Sequence, residues 1–234
     1  MTAIAALWLP ILVSAVLVFI ASSIIHMAPL WHRNELPAPP DGDRLQDALR
    51  PFGLKPGEYM LPRPQNMKDC NKPEFVEKLK RGPVLIMTVI PNGPMSMAKP
   101  LVQWFICIVV VSILTAYVAA ATLPADAPYL AVFRVAGTTA FIAYAAGCWP
   151  QSIWYHRPWS TTAKLTFDGL IYGLLTGGAF GGCCFSPVLG ILASVSGQSQ
   201  GMEGAYMCVD MVVALLVAGL QYDIHRRLEI VASQ

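Results

Sequence analysis

The sequence predicts an all-α integral membrane protein of about five transmembrane helices, N-terminus outside and C-terminus inside, with one proline-rich cytoplasmic loop. Three observations lead there. Only 13% of the 234 residues are charged and 55% are hydrophobic, whereas soluble domains carry about 25% charged residues. The apolar residues gather into blocks of about 20, the length a helix needs to cross a ~30 Å hydrocarbon core. Lysine and arginine fall on alternate links between these blocks, and basic residues are enriched on the cytoplasmic side of membranes.

The first block, residues 1–25, has no Lys or Arg ahead of its apolar run, unlike a secretory signal peptide, and reads as a retained span. Pro10 in its first half is tolerable where neighbouring helices satisfy the freed carbonyl. Residues 26–100 form the long polar segment and contain 13 of the 19 prolines, which argues against a regular domain. Two short helices are expected within it. Residues 43–50 are bounded by prolines, and residues 72–81 follow Asn71 with Glu74 three positions on, a capping-box-like start, before stopping at Gly82-Pro83. The run VLIMTVI, residues 84–90, is too short to span and reads as a strand.

Residues 101–234 are expected to hold four more spans: 101–122, 129–153, 165 to about 185, and 205–222. The link LPADAP between the first two has no basic residue, the link at 154–164 has Arg157 and Lys164, and the tail carries Arg226 and Arg227. Residues 186–204, with Pro187 and several Ser, Gly and Gln, read as a loop or a partial re-entrant segment. The 26–100 segment holds eleven Lys and Arg. The resulting alternation gives five spans, N-out and C-in, in a cell inner membrane. Trp31, Trp104, Trp149, Trp154 and Trp159 then fall near the inner interface, where amphipathic rings prefer to sit.

Several residues stand out within this frame. Gly169, Gly173, Gly177 and Gly181 recur every four residues, a stripe that lets another helix approach closely. The small residues Ala136, Ala140, Ala143 and Gly147 of the preceding span offer an intramolecular partner, and a second copy or a partner protein's helix is the alternative. Asp168, just ahead of the stripe, is a carboxylate inside an apolar span and so suggests a proton or cation site, unless it pairs with Lys164 one turn earlier. Arg134 and Asp210 each lie five residues from the outer end of their spans, at one depth, and are expected to form an ion pair if they do not snorkel outward.

All four histidines, His26, His32, His156 and His225, map to the cytoplasmic face, where imidazoles can bind metals. Without a ligand spacing such as HExxH, no metal site and no cofactor are expected. The six cysteines form no CxxC pair and mostly sit in apolar runs, Cys183-Cys184 included, so they read as buried thiols rather than a disulfide framework. Phosphate-binding and dinucleotide motifs are missing, and no catalytic residue is assigned. A net charge of +2 supplies no field for nucleic acid.

These features point to a non-catalytic accessory, assembly or scaffold component of a membrane complex, with membrane lipids and a protein partner or second copy as its contacts. The proline-rich segment, irregular yet carrying VLIMTVI, needs something to cover it. The alternatives are a small transporter or channel using Asp168 and the glycine-rich helix, and a membrane-embedded lipid-modifying enzyme. The last requires polar groups gathered at one depth, which the inner-face histidines, Arg157 and Asp168 can supply.

Overall fold

The computed structural model describes the backbone of residues 4–27, 32 and 35–196, and the side chains of these from Ala6 to Cys183. The chain divides into two compact units. One comprises residues 1–36 with 97–234, and the other is Pro37–Ser96.

Four long helices build the first unit. A 3-10 turn, Ile4–Leu7, leads into α1, Trp8–Met27; α4 is Ala98–Thr122, α5 is Tyr129–Ala145 and α7 is Trp159–Ser196. Among the described residues, three helical stretches are long and apolar enough to cross a membrane: Trp8–Met27, Ala98–Thr122 and Tyr129–Trp154. The last is interrupted, since α5 tightens into a 3-10 turn at Ala146–Cys148 before the short α6, Trp149–Trp154. Gly147 and Pro150 explain the break, because Pro150 cannot donate a backbone hydrogen bond.

The helices close a ring in which every neighbour is antiparallel. Between α1 and α4, Ser14 meets Ser112 at 3.1 Å and Trp104 Nε1 donates to Ser22 Oγ at 2.8 Å. Phe180 of α7 clusters with Leu7 ahead of α1, while Ile171 clusters with Val18 and Ile25 nearer its far end. The α5–α7 contact runs from Tyr129 beside Gly181 to Ala145 beside Gly169.

The interior mixes apolar side chains such as Phe180, Ile25 and Ile108 with small polar ones. The interior holds Ser14, Ser22, Ser112, Thr115, Thr176 and Asp168 among alanines, while Ile20, Ile106, Leu114, Leu130 and Ile142 are 51–57% exposed. A membrane explains this, since lipid gives large side chains no reason to leave the surface and rewards small, hydrogen-bonding ones at helix contacts.

Two expectations change here. The segment after residue 185 was read as a loop or re-entrant piece, but α7 continues as helix through Ser196. Pro187 forfeits only one helical hydrogen bond, whereas unwinding would release several backbone groups. The proline-rich segment, expected to be irregular, instead contains the compact second unit, so the all-α description holds for the long helices alone.

In that unit α2, Gly42–Leu49, and α3, Pro73–Arg81, match the two expected short helices. Strand β2, Leu85–Val89, lies where one was expected, and it pairs antiparallel with β1, Gly57–Leu61, in the register Gly57↔Val89 to Leu61↔Leu85. Helix α3 starts at Pro73 with Lys72 as N-cap, not from an Asn71 capping box. Pro73 is preorganised for the first helical position and fixes the start there. Gly82 ends α3 with φ 58°, a left-handed conformation that side-chain-bearing residues disfavour.

Candidate functional site

The end of the bundle where α1 stops and α7 begins carries a polar cluster assembled from distant parts of the chain. Ser22 and His26 are four residues apart on α1 and share a face. The Ser22 carbonyl accepts from His26 Nδ1 at 2.9 Å. Beyond α1 the chain brings His32 back over His26, their rings stacked with centroids 4.6 Å apart and planes 10° from parallel.

His32 stands between two carboxylates. Its Nδ1 is 2.7 Å from Glu35 Oε1 and its Nε2 is 2.8 Å from Asp168 Oδ2 on α7. Glu35 is also 3.9 Å from Arg157 Nη2 and 3.9 Å from Lys164 Nζ. Asp168 is 1% exposed, the His32 side chain 8% and Glu35 15%. Removing a carboxylate from water costs several kcal/mol unless close partners compensate, so the His32 contact is a condition for Asp168 lying where it does.

A carbonyl oxygen only accepts, so His26 Nδ1 carries the proton and its Nε2 presents a lone pair. By the same logic each carboxylate accepts from the His32 nitrogen that faces it, Nδ1 toward Glu35 and Nε2 toward Asp168. The cluster thus holds two oriented imidazoles beside one buried carboxylate.

A cleft of about 520 Å³ opens against this cluster, lined by Ser22, His26 and Asp168 together with Leu101, Trp104 and Tyr172. Its size lies within the ~300–1,000 Å³ of ligand clefts. Trp104 packs against Tyr144 and Tyr172, with centroids 6.2 and 6.3 Å away. The hydroxyls of Tyr144 and Tyr172 are buried and meet no hydrogen-bond partner among the described residues.

The residues singled out from sequence fall in different places. Asp168 joins the cluster through His32. Gly169, Gly173, Gly177 and Gly181 all face α5: a β-carbon on Gly177 would stand 2.8 Å from the Phe133 carbonyl oxygen, and one on Gly173 would stand 2.9 Å from that of Gly137. Arg134 is exposed beside Phe133 and Thr138 and makes no ion pair among the described residues. Its expected partner, Asp210, lies outside the described residues, as do His225 and the fifth span. His156 is exposed and apart from the cluster. The thiols of Cys70, Cys107, Cys148 and Cys183 are free.

Sequence reasoning missed Glu35 and the pairing of His26 with His32. The local signals were the spacings of Ser22, His26, His32 and Glu35, three to six residues apart, whereas the contacts to Trp104 and Asp168 join segments 82 and 136 residues apart. No protein-family model matches the chain, and no curated protein or solved structure matches it.

Proposed function

We propose that the protein is a five-span inner-membrane protein, N-out and C-in, that takes an amphipathic lipid-like molecule sideways into the cleft and modifies it by acid–base chemistry. The observation that supports this reading is that two members of the His26–His32–Asp168 cluster, His26 and Asp168, line a largely aromatic and aliphatic cleft. The tail of such a molecule lies along Leu101, Trp104 and Tyr172, and its head reaches His26 and Asp168. His26 Nε2 is the general base, because its other nitrogen is committed to Ser22. Asp168, held by His32, sets the charge facing the head.

A carrier reading gains less from the geometry. The glycine face of α7 is filled by α5 and is not free to line a path.

Labelling with a photoreactive lipid tests the proposal. Crosslinks are expected to concentrate on Leu101, Trp104 and Tyr172, and Leu101→Trp, which fills the cleft, is expected to reduce them several-fold. Labelling spread evenly over the cleft and over Ile106 and Val110 on the outer face of α4 would sink it.

An assembly role is the second reading, and the Pro37–Ser96 unit favours it. That unit leaves Phe52, Met67 and Met95 73–84% exposed, more apolar surface than an isolated small unit gains from. Purification in mild detergent is expected to retain a partner at fixed stoichiometry; a clean monomer counts against it.

A further inference from the structure

Donor atoms from His26, His32 and Asp168 all lie within 4.8 Å of one another. Two imidazole nitrogens and one carboxylate oxygen are the donor set of catalytic zinc and of related first-row divalent ions. Calcium and magnesium demand six or more oxygens and are not matched by it.

The orientation of the two rings is the stronger observation. A metal-bound histidine almost always donates its second ring N–H to a carbonyl or carboxylate, which fixes the tautomer and strengthens the ligand. Both rings here do so. His26 Nδ1 donates to the Ser22 carbonyl at 2.9 Å and His32 Nδ1 to Glu35 at 2.7 Å. Glu35 in turn has Arg157 and Lys164 3.9 Å away, so its charge is already balanced from the outer side. His26 keeps a lone pair on Nε2, and His32 Nε2, hydrogen-bonded to Asp168 Oδ2 at 2.8 Å, becomes a ligand when a metal ion displaces the proton between them.

We infer that His26 Nε2, His32 Nε2 and a carboxylate oxygen of Asp168 bind one divalent transition-metal ion of the zinc class. Donors about 2.0–2.1 Å from a tetrahedral ion stand about 3.3 Å apart. The 2.8 Å His32–Asp168 contact therefore opens by about half an ångström on metal binding, and the wider separations close by side-chain rotation. Three protein ligands leave a fourth position. His26 and Asp168 both line the cleft, so that position faces it, the arrangement of catalytic rather than structural zinc. An ion there polarises a bound water or a carbonyl oxygen in the cleft. The metal site stands on the geometry of the cluster and deepens the amphiphile reading without depending on it; with the ion bound, His26 Nε2 is a ligand and the metal-bound water takes over the role of base.

The test uses the full chain, without a polyhistidine tag, in detergent micelles stripped with chelator. Titration with Co²⁺ alone is expected to give visible d–d bands that saturate at one ion per chain and are displaced by Zn²⁺. His26→Ala removes a ligand at the exposed edge of the cluster and is expected to weaken Co²⁺ binding at least tenfold, with the elution profile and helical circular dichroism unchanged. Glu35→Gln keeps the shape of the orienting side chain without its charge and is expected to cost roughly 10- to 100-fold in affinity. Folded protein that takes up no Co²⁺, or His26→Ala that binds it as tightly as the parent, overturns the inference. Lipid photolabelling is run in the presence of chelator. Cleft labelling that persists there alongside failed Co²⁺ binding removes the metal and leaves the amphiphile reading standing.

Discussion

A carboxylate that is 1% exposed within an apolar bundle is held by what lies next to it. Asp168→Ala is therefore expected to do more than delete an acid. It leaves His32, itself 8% exposed, facing an empty position, and losing one member of a buried charged pair costs about 3–5 kcal/mol. Asp168→Asn keeps the volume and one hydrogen bond and is expected to cost clearly less. Thermal unfolding in detergent compares the two, and equal losses would show that the His32 contact contributes nothing. A milder case is Trp104→Phe, which keeps an aromatic ring and removes the hydrogen bond to Ser22. Hydrogen bonds between membrane helices average about 0.6 kcal/mol, so a small drop in midpoint is expected, and a drop as large as that of Asp168→Ala would contradict this account. Asp168 stood out in the sequence because it is a charge among apolar neighbours. Glu35 did not, because a His and an acid three residues apart are ordinary in a polar stretch, and its other partners come from residues 157 and 164.

Among the elements, α7 shows how spacing translates into contact. A period of four on a helix places glycines along one face, and each of the four meets a different residue of α5, from Ala145 to Tyr129. The obstacles differ in stiffness. Gly177 faces the Phe133 backbone carbonyl, whereas Gly181 faces the Tyr129 ring, and Gly147 has nothing within 4 Å. Gly177→Ala is expected to cost about 1–3 kcal/mol, as overpacking does elsewhere. Gly181→Ala should cost less because a ring can swing aside, and Gly147→Ala should be neutral or slightly stabilising. The order of unfolding midpoints checks this, and a Gly147 variant as damaged as Gly177→Ala would contradict it. Hydropathy located the long helices well: α4 begins three residues before the expected span. It could not place the end of α7, where the punctuation of Pro187 and the serines suggested a stop that the backbone does not make. Strand β1 was missed because GEYML shows little alternation, and it becomes a strand only through its pairing with β2.

At the scale of the whole molecule, composition announced a membrane protein, and three of the helices have the length and apolarity for it. The division into two units was not readable in the same way, because proline content gauges regularity within a segment and not whether that segment can pack against itself. The proposed topology has a direct test. A reporter active only in the cytoplasm is expected to give signal when fused after Gln234 or inserted near Lys68, and none within residues 124–128; a silent C-terminal fusion would overturn the five-span count. The ring of antiparallel helices also sets a timetable. His32 and Asp168 are separated by 136 residues, and a ribosome adding ~5–20 residues per second needs roughly 7 to 27 seconds to make that stretch. Throughout that interval α1 with His26, and His32 beyond it, are already made while the carboxylate that will join them does not yet exist. The cluster is thus among the last contacts a newborn chain can close, and every nascent molecule passes through a stage at which His32 must find water, headgroups or a helper protein instead.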